Sequence, residues 1–474
     1  MKSETYTLHL TFLTPVHAGT GDELEPFSYV LHSNGNGTAR LHLVDLEGWV
    51  RDSSGDPDVI DAFENRDVAG LRRFVAERIP LEKYTLDVIP VAGNKFTSLY
   101  SEVLSGKREE HRLLLDKTHR SPADGLPFLP GSSLKGAVRT AVGNAHVDQA
   151  GRPFFKKEKR NYDWQGYNHK IFGKIQNDIF KFLKVGDIKL GPGRTQIVEP
   201  VEVSKNPERT QSTPKNFAEA THSLVLGEPL NARAKLQIAS PHQKFQIQGL
   251  VQPFDLPQLM AWLNSFYIPK YFQEMKAFYE LPHLSRVKKH LEPVTEKVQK
   301  LEKDRPHNSA LVRVGHYSHV ECVTYDNVRD PKARKGWGKT RTLAEATVPF
   351  GWILLQAEPG YIPEQDIAGQ LCHHEKPQTA PDLHSDDKTA EPSLEDTRKT
   401  RLDDLQKGLN AVQSDKIPGT LPGIAQKVLE DSDPEYAREA ARLILEFVRA
   451  SGRQKKLKAK PWYKDLQELA GREG

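Results

Sequence analysis

Cysteine and long apolar stretches are scarce in this 474-residue chain. The 2 cysteines, Cys322 and Cys372, are too few for a disulfide framework, which predicts a reducing, cytoplasmic environment. No run of about 18 apolar residues occurs, and the opening sequence MKSETYTL lacks the apolar core of a signal peptide. From these absences we expect neither a membrane protein nor a secreted one.

Sequence signatures of the common cofactor and nucleophile sites are also missing. There is no P-loop, no Rossmann glycine fingerprint and no Gly-x-Ser-x-Gly elbow. Cys372, His373 and His374 are adjacent, so their side chains point apart and cannot all face one zinc ion. Asp386 and Asp387 fall in a Pro-, Ser- and acid-rich stretch that is typical of a linker. We therefore expect no cofactor, no metal site and no catalytic residue.

Net charge is small but unevenly distributed. The chain has 67 Lys+Arg against 63 Asp+Glu, a formal charge of +4. Residues 105–194 hold 18 basic and 9 acidic side chains, whereas residues 385–435 hold 7 basic and 12 acidic ones. A polyanion would be attracted to the first stretch and repelled by the second. Two differently solvated faces would give the same pattern, so charge alone leaves both interpretations open.

Hydrophobic periodicity indicates a mixed α+β chain. Alternating, β-branched or aromatic runs predict strands at 5–13, 27–32, 39–44, 222–226, 232–238, 245–251, 311–314, 319–325 and 351–356, with further strands or a hairpin within 84–115. Apolar stripes predict helices at 46–51, 58–77, from 134 onward, at 256–278 with a break at Pro269, at 287–302 and at 435–448. Ser132 or Ser133 is expected to cap the helix that starts at Leu134, and Asp433 the helix at 435–448.

Three separated motifs carry most of the functional information. They are LTPVHAGTG at 13–21, LPGSSLKGAVR at 129–139, and GWGKTR at 336–341 followed by PFGW at 349–352. Together, in this order, they resemble the RAMP superfamily of CRISPR proteins, whose members bind guide RNA. Within that superfamily the chain is most similar to the fifth-subunit family of type III-A (Csm) effector complexes. The resemblance spans residues 2–356 and does not reach the last hundred residues or so.

The resemblance implies a fold and a domain order. We expect two ferredoxin-like (βαββαβ, RRM-like) RAMP domains with insertions, plus a helical C-terminal extension. The expected boundaries are 1–220 for the first RAMP domain with its basic insertions, 221–372 for the second, 373–397 for a linker and 398–474 for the helical extension. The apolar stripe of the helix at 435–448 is expected to pack within the chain.

The resemblance also implies a role. The implied role is that of a non-catalytic subunit that binds crRNA and caps the 3′-proximal end of a type III-A effector complex. Such a subunit is needed for crRNA loading or maturation and for assembly of the complex. The implied partners are the crRNA, the target RNA indirectly, the neighbouring backbone RAMP subunit, a small helical subunit and, as a further option, host nucleases. Three alternatives stay open: an endoribonuclease that processes the guide precursor, a cap subunit of a Cmr or type III-D complex, and a protein-only scaffold.

Residue chemistry selects the candidate RNA contacts. Glycines let a sugar–phosphate strand approach closely, a helix N-terminus favours a phosphate, and cations add charge. Lys135 and Arg139 lie four residues apart, so they share one helix face, and reversing their charge should weaken guide loading without unfolding the protein. The RNA-binding candidates are His17, Gly19, Gly21, Gly131, Ser132, Ser133, Lys135, Arg139, Gly193, Arg194, Gly336, Trp337, Gly338, Lys339 and Arg341.

Two further features of the sequence each allow two interpretations. His17, beside a glycine turn, could act as a general acid or base in an endoribonuclease, but RNA contact or packing of the turn is the favoured interpretation. Residues 149–164 are predicted to form an irregular loop, and residues 149–169 interleave basic and aromatic side chains, including Phe155, Tyr162 and Trp164. Such a mixture suits single-stranded RNA, although the aromatic rings could equally anchor the loop to the fold.

Overall fold

The structure is a computed structural model. It describes residues 3–25, 27–33, 39–107, 113–156, 161–208, 216–326, 328 and 338–360, and in the C-terminal part residues 398, 402, 405, 406, 409, 417–429, 433–450, 458 and 460–471. The chain divides into two compact units, residues 1–369 and 370–474. None of the helices within these ranges combines the length and the apolar character needed to cross a membrane.

Strands are numbered in chain order and all of those described lie in the first unit. They are β1 (Ser3–Phe12), β2 (Gly19–Leu24), β3 (Tyr29–Ser33), β4 (Ala39–Val44), β5 (Thr85–Pro90), β6 (Leu115–Thr118), β7 (Phe128–Leu129), β8 (Phe155–Lys156), β9 (Asn161–Tyr162), β10 (Leu183–Val185), β11 (Ile188–Lys189), β12 (Thr195–Val198), β13 (Pro200–Ser204), β14 (Phe217–Thr221), β15 (Leu230–Ala239), β16 (Ser309–Arg313), β17 (Thr340–Ala344), β18 (Val348–Pro349) and β19 (Trp352–Pro359).

The helices occur in both units. They are α1 (Leu46–Asp52), α2 (Pro57–Asn65), α3 (Val68–Arg78), α4 (Leu81–Tyr84), α5 (Lys95–Leu104), α6 (Gly131–Asn144), α7 (Val147–Ala150), α8 (Trp164–Phe172), α9 (Leu256–Glu274), α10 (Ser285–His290), α11 (Glu292–Asp304), α12 (His319–Val323), α13 (Ile417–Leu429), α14 (Pro434–Ala450) and α15 (Pro461–Gly471). With the strands they confirm the mixed α+β class, whereas the arrangement as two ferredoxin-like domains stays a prediction.

The central sheet is antiparallel and has the strand order β10–β15–β1–β19–β16. Strand β1 pairs with β15 on one side and with β19 on the other. Every second residue of β15 is buried, as expected for a sheet that packs on one face only. Segments from before and after residue 220 therefore share one sheet, and the division at that residue remains a prediction.

Helices α6, α9 and α11 pack with this sheet into the main core. Trp352 is fully buried, and its ring centroid lies 5.4 Å from that of Tyr271 and 6.4 Å from that of Tyr267, both on α9. The predicted break at Pro269 is wrong, because α9 runs through this residue and continues as π-helix over Met275–Tyr279. Pro269 removes one backbone donor, but the buried neighbours on both sides hold the helix in place.

Smaller sheets surround the central one. Their strand orders are β12–β14–β6–β2, β13–β17–β18, β3–β4–β5, β11–β7 and β8–β9. Strands β14 and β6 are parallel, and the pairs in the remaining small sheets are antiparallel. The hairpin β8–β9 lies within the stretch 149–164 that was predicted to be an irregular loop, and helix α8 begins at its last residue, Trp164.

Several of the predicted strands are wrong. The part of 84–115 after β5 forms helix α5, whose buried Phe96, Leu99, Tyr100 and Val103 follow helical spacing. Residues 319–323 form helix α12 instead of a strand. Residues 222–226 and 245–251 form no strand either, since the chain turns there. In these stretches short apolar runs satisfy both periodicities, and packing in the folded protein decides between them.

The second unit is helical where it is described. Asp433 caps α14 as predicted, since its Oδ1 accepts hydrogen bonds from the backbone N–H of Glu435 at 3.1 Å and of Tyr436 at 3.3 Å. Ala440 and Ile444 of α14 are completely buried against α13 and α15. The expectation that this stripe packs within the chain is therefore confirmed. The predicted linker 373–397 lies outside the described residues.

Candidate nucleic-acid interface

The first and last sequence motifs lie against each other. The hydroxyl of Thr14 accepts a hydrogen bond from the backbone N–H of Trp352 at 2.9 Å, and the Trp352 carbonyl accepts one from Leu13 at 3.0 Å. The N–H of Gly351 donates to the Pro15 carbonyl at 2.8 Å. The PFGW segment thus holds the end of β1 and fixes the direction in which the following glycine turn leaves the sheet.

His17 lies beneath this turn. Its side chain is buried, and its Nδ1 donates to the Glu219 carbonyl across 2.8 Å. Burial lowers the pKa of His17, so the ring is neutral at physiological pH. A Cβ atom at Gly19 would lie 2.6 Å from Nε2 of His17, which shows how closely the turn covers the ring. These contacts favour turn packing, and RNA contact by His17 stays a prediction that its burial does not support.

Gly19 forms one wall of an open cleft of about 410 Å³. The opposite wall is one face of α6, and the floor is the segment that follows β16. We call this the glycine cleft, and its lining residues that matter here are Gly19, Ser133, Gly136, Thr140, Gly315 and His316. Glycine backbone from three separate segments and two hydroxyl groups therefore face the same space. Such a surface allows close approach of a ribose–phosphate strand.

Helix α6 begins differently from the prediction. It starts at Gly131, and neither Ser132 nor Ser133 caps it with a side-chain hydrogen bond. The N–H of Gly131 donates to a carboxylate oxygen of Asp187 at 2.8 Å. A Cβ at Gly131 would lie 2.4 Å from the carbonyl oxygen of Val185, so this glycine is required for packing of the chain on itself. The helix N-terminus is occupied by the protein's own anion and is a poor seat for a phosphate.

Lys135 and Arg139 share a face of α6, as predicted, but that face is turned away from the glycine cleft. The Nζ of Lys135 donates to the Leu183 carbonyl at 2.6 Å, and burial lowers the pKa of Lys135. Arg139 pairs with Asp178 at 2.8 Å and lies 3.8 Å from the centroid of the Phe172 ring. Both cations are engaged within the fold, so their contact with RNA stays a prediction that these internal contacts do not support.

Arg341 belongs to a buried charge network. It is paired with Glu274 at 3.2 Å and with Glu321 at 3.1 Å, while Arg313 also pairs with Glu274. Burial would raise the pKa of Glu274, but the guanidinium groups of Arg313 and Arg341 outweigh it and lower the pKa to about 2. Arg341 is therefore engaged within the fold, and its contact with RNA stays a prediction that these ion pairs do not support.

Gly338 and Lys339 lie at the start of β17. Gly338 has a φ of +67°, which favours glycine, and Lys339 is exposed. Gly338 lines a second cleft of about 230 Å³, together with the exposed Lys205. This cleft and the glycine cleft share Arg313 and Cys322 as wall residues. All three sequence motifs thus contribute residues to the two adjoining clefts, whereas Gly336 and Trp337 lie outside the described residues.

Three other candidates lie apart from these clefts. Gly21 has a φ of +87° in β2, and Gly193 has a φ of +63° in the turn between β11 and β12. Arg194 lies 3.7 Å from Glu228 at the surface. In the described part of the chain none of them lines either cleft, and their contact with RNA stays a prediction.

Sequence reasoning missed the floor of the glycine cleft. Gly315 has a φ of +101°, and a Cβ there would lie 2.6 Å from the His17 carbonyl oxygen. That carbonyl accepts a hydrogen bond from the N–H of His316 at 2.9 Å, and the His316 side chain is exposed. A glycine directly after a predicted strand was the available signal. Across the described residues, no cluster of His, Cys, Asp and Glu is placed to hold a metal ion; Cys372 lies outside them.

Comparison with known proteins identifies the class. Residues 9–338 match the family model of the RAMP superfamily, which is well over half of the chain. The chain therefore belongs to the RAMP superfamily, as its motifs predicted.

Individual relatives narrow the similarity. Over 195 residues the chain is 26% identical to the CRISPR system Cms protein Csm5 of Methanocaldococcus jannaschii, an alignment that covers 39% of this chain and 42% of that protein. A chain in a cryo-EM structure of a Csm–crRNA–target RNA ternary complex of a type III-A CRISPR–Cas system overlaps with a TM-score of 0.48 at 20% identity, covering 75% of this chain and all of the other. A crystal structure of T. onnurineus Csm5 overlaps with a TM-score of 0.38 at 17% identity, covering 73% and 99%. Overlaps at these scores carry no functional inference.

Proposed function

We propose that this chain is a non-catalytic crRNA-binding subunit of a type III-A (Csm) effector complex, located at the 3′-proximal end of the guide. Membership of the RAMP superfamily and similarity to a Csm5 protein support the class. The observation that carries the proposal is the glycine cleft, in which backbone from three chain segments surrounds one open space. The proposed setting is the cytoplasm, where such a complex meets invading transcripts.

The cleft suits a ribose–phosphate strand for steric and polar reasons. Gly19, Gly136 and Gly315 contribute backbone to the cleft lining, and at Gly136 the space that a side chain would fill is open, since no heavy atom lies within 4 Å of a Cβ built there. Ser133 provides a hydroxyl group that donates to a phosphate oxygen, and the Thr140 hydroxyl, which itself donates to the Gly136 carbonyl at 3.1 Å, accepts from a ribose hydroxyl. The exposed Lys205 at the adjoining cleft adds positive charge, and so does the exposed Lys339, which follows the cleft residue Gly338 in the chain. Contacts of this kind fix the position of a strand without reading its bases.

Sequence is then read by pairing between guide and target. In this proposal the chain contacts the target RNA only through the guide, and its protein partners are the neighbouring backbone RAMP subunit, a small helical subunit and host nucleases that trim the guide. The domain boundaries at 220 and 372 belong to the same proposal.

The absence of catalysis in this proposal follows from the positions of the histidines. His17 is buried and its Nδ1 is engaged by the Glu219 carbonyl, so it has no path to a substrate. His316 is the exposed histidine of the glycine cleft, and an endoribonuclease would have to use it. Incubation of the protein with repeat-containing RNA, without metal, should leave the RNA intact. Cleavage that disappears in His316→Ala and is absent from incubations without the protein would make the chain an enzyme.

Binding itself is tested by its salt dependence. Contact with about five phosphates predicts a slope near −3.5 for log affinity against log salt, from roughly −0.7 per phosphate on a single strand. A protein-only scaffold predicts weak binding and a shallow slope. The purified complex should also carry a ladder of related RNAs. Recovery with type III-A subunits supports the proposed setting, and recovery with Cmr or type III-D subunits supports the alternative cap assignment.

A further inference from the structure

Five aromatic rings form a chain that starts at an exposed hairpin. The rings are those of Phe155, Tyr162, Trp164, Tyr167 and Tyr325, and we call them the aromatic ladder. Successive ring centroids lie 5.0, 6.0, 6.1 and 6.2 Å apart. The ladder is buried at Tyr167, next to its half-buried end at Tyr325, and the hairpin end is open, with Phe155 44% and Trp164 39% exposed. Such a row of exposed rings marks a binding surface.

Local structure holds the open end in place. Phe155 and Tyr162 are paired across the hairpin β8–β9. Asp163 caps α8, since its Oδ1 accepts a hydrogen bond from the Gly166 N–H at 3.0 Å, and this places Trp164 on the first turn. The rings are therefore presented by regular structure, so their exposure is a property of the fold.

The buried end of the aromatic ladder leads to the glycine cleft. The Tyr325 hydroxyl donates to Asn168 at 2.7 Å, and both residues line a third cleft of about 480 Å³. Thr140 of α6 lines this third cleft and also the glycine cleft. The two clefts therefore adjoin at Thr140, and Tyr325 in the third cleft connects through the buried Tyr167 ring to the exposed Trp164.

Charge indicates what would occupy this surface. Four of the five rings, all except that of Tyr325, lie within the basic stretch 105–194, which has twice as many basic as acidic side chains. Arg152, Lys170 and Lys174, close to it in the chain, are exposed. Aromatic rings set among cations suit a strand that carries both flat bases and phosphates. A protein surface rich in acidic groups would be held by the charges but would gain little from the exposed ring faces.

We propose that the aromatic ladder is a base-stacking platform for the single-stranded RNA segment that continues beyond the glycine cleft. The proposal rests on the proposed function and extends it, because it assigns bases, and not phosphates alone, to this chain. Unpaired bases lie against the exposed faces of Phe155 and Trp164. Each base has a π face, so the platform holds RNA irrespective of sequence.

The test combines protein variants with RNA that lacks bases. Trp164→Ala and Trp164→Leu each remove the ring, and the second keeps an apolar side chain. Affinity for guide-length RNA should fall about fivefold or more in both, and Trp164→Phe should restore most of it. With RNA whose bases in that segment are replaced by abasic sites, the wild type and the Trp164 variants should bind equally. Phe63→Ala, at a 38% exposed ring on α2, is the matched control and should bind like wild type.

The outcomes separate the two proposals. If wild-type protein binds no RNA, the proposed function fails and the ladder proposal fails with it. If the Trp164 variants bind RNA as tightly as wild type, only the ladder proposal is overturned. It is also overturned if the loss persists on abasic RNA, since the ring then acts on something other than a base. Reduced association with other effector subunits at unchanged RNA affinity would identify a protein-docking surface instead.

Discussion

The backbone N–H of Gly131 donates a hydrogen bond to the carboxylate of Asp187 at 2.8 Å. This bond satisfies one of the free donors of the first turn of α6 and places a negative charge where a phosphate was expected. In the proposed function, RNA therefore contacts the lateral face of the helix, which carries Ser133, Gly136 and Thr140, and not its N-terminus.

Two glycines of the same helix should respond oppositely to alanine. In Gly131→Ala the new Cβ would lie 2.4 Å from the backbone oxygen of Val185, so we expect a loss of about 1–3 kcal/mol in the free energy of unfolding. In Gly136→Ala the Cβ meets no heavy atom within 4 Å, and a helical alanine should stabilise by up to about 1 kcal/mol. Urea denaturation measures both. Equal stability of the two variants would contradict the close packing at Gly131.

Arg139→Glu should destabilise the protein, contrary to the expectation from sequence. The variant loses the contact with the Phe172 ring and places a second carboxylate beside Asp178. We expect a loss of at least about 1 kcal/mol, seen as a lower melting temperature. Lys174→Glu makes the same charge change at an exposed site nearby and should melt within a degree or so of wild type. An unchanged melting temperature in Arg139→Glu would contradict this structural role and would leave RNA binding as the favoured role of Arg139.

Arg341 and Lys339 lie two residues apart, but we expect substitution of Arg341 to lower stability and substitution of Lys339 to lower RNA affinity. Arg341→Ala leaves Glu321 short of a buried partner and should cost about 3–5 kcal/mol of stability. Lys339→Ala removes an exposed charge, so stability should stay within about 0.5 kcal/mol while RNA affinity falls and the salt slope becomes shallower. Denaturation and RNA titration of both variants check this. A stable Arg341→Ala with weakened RNA binding would show that this residue contacts RNA directly.

Glu345 should make stability depend on pH near neutrality. Burial raises its pKa from 4.5 to about 7. Between these two values the folded protein holds a proton that the unfolded chain releases, so stability falls as pH rises through this range. Glu345→Gln should therefore melt higher than wild type at about pH 8 and much like it at about pH 5. An equal difference at both pH values, or the same pattern in the exposed Glu296→Gln, would contradict the assignment.

Local pattern was enough to predict much of the fold. Strand β4 was predicted at its observed bounds, and β1, α9 and α14 within a few residues, because each has a long, unambiguous periodicity. Helix α5 and α12 were missed because their short apolar runs fit both periods. The family was identifiable from three motifs whose glycines and prolines serve backbone contacts that few other residues permit.

The site was harder to predict than the family. Spacing correctly put Lys135 and Arg139 on one face, but it could not show that the face meets Leu183 and Asp178, which lie dozens of residues away in the chain. In the same way, nothing in the motif around Arg341 predicts that this residue pairs with Glu274 on α9. Whether a cation faces solvent or an internal carboxylate depends on long-range packing.

The most direct test of RNA binding by the glycine cleft is the affinity of Gly136→Glu for guide-length single-stranded RNA. Gly136 lies on the cleft wall with free space before it, so glutamate fits without unfolding the helix but fills the cleft and repels phosphate. Gly55→Glu places the same side chain at another exposed glycine with open space around it and serves as the control. We predict that Gly136→Glu loses at least tenfold (~1.4 kcal/mol) in RNA affinity, that Gly55→Glu does not, and that both variants are folded. Wild-type affinity in folded Gly136→Glu would contradict it.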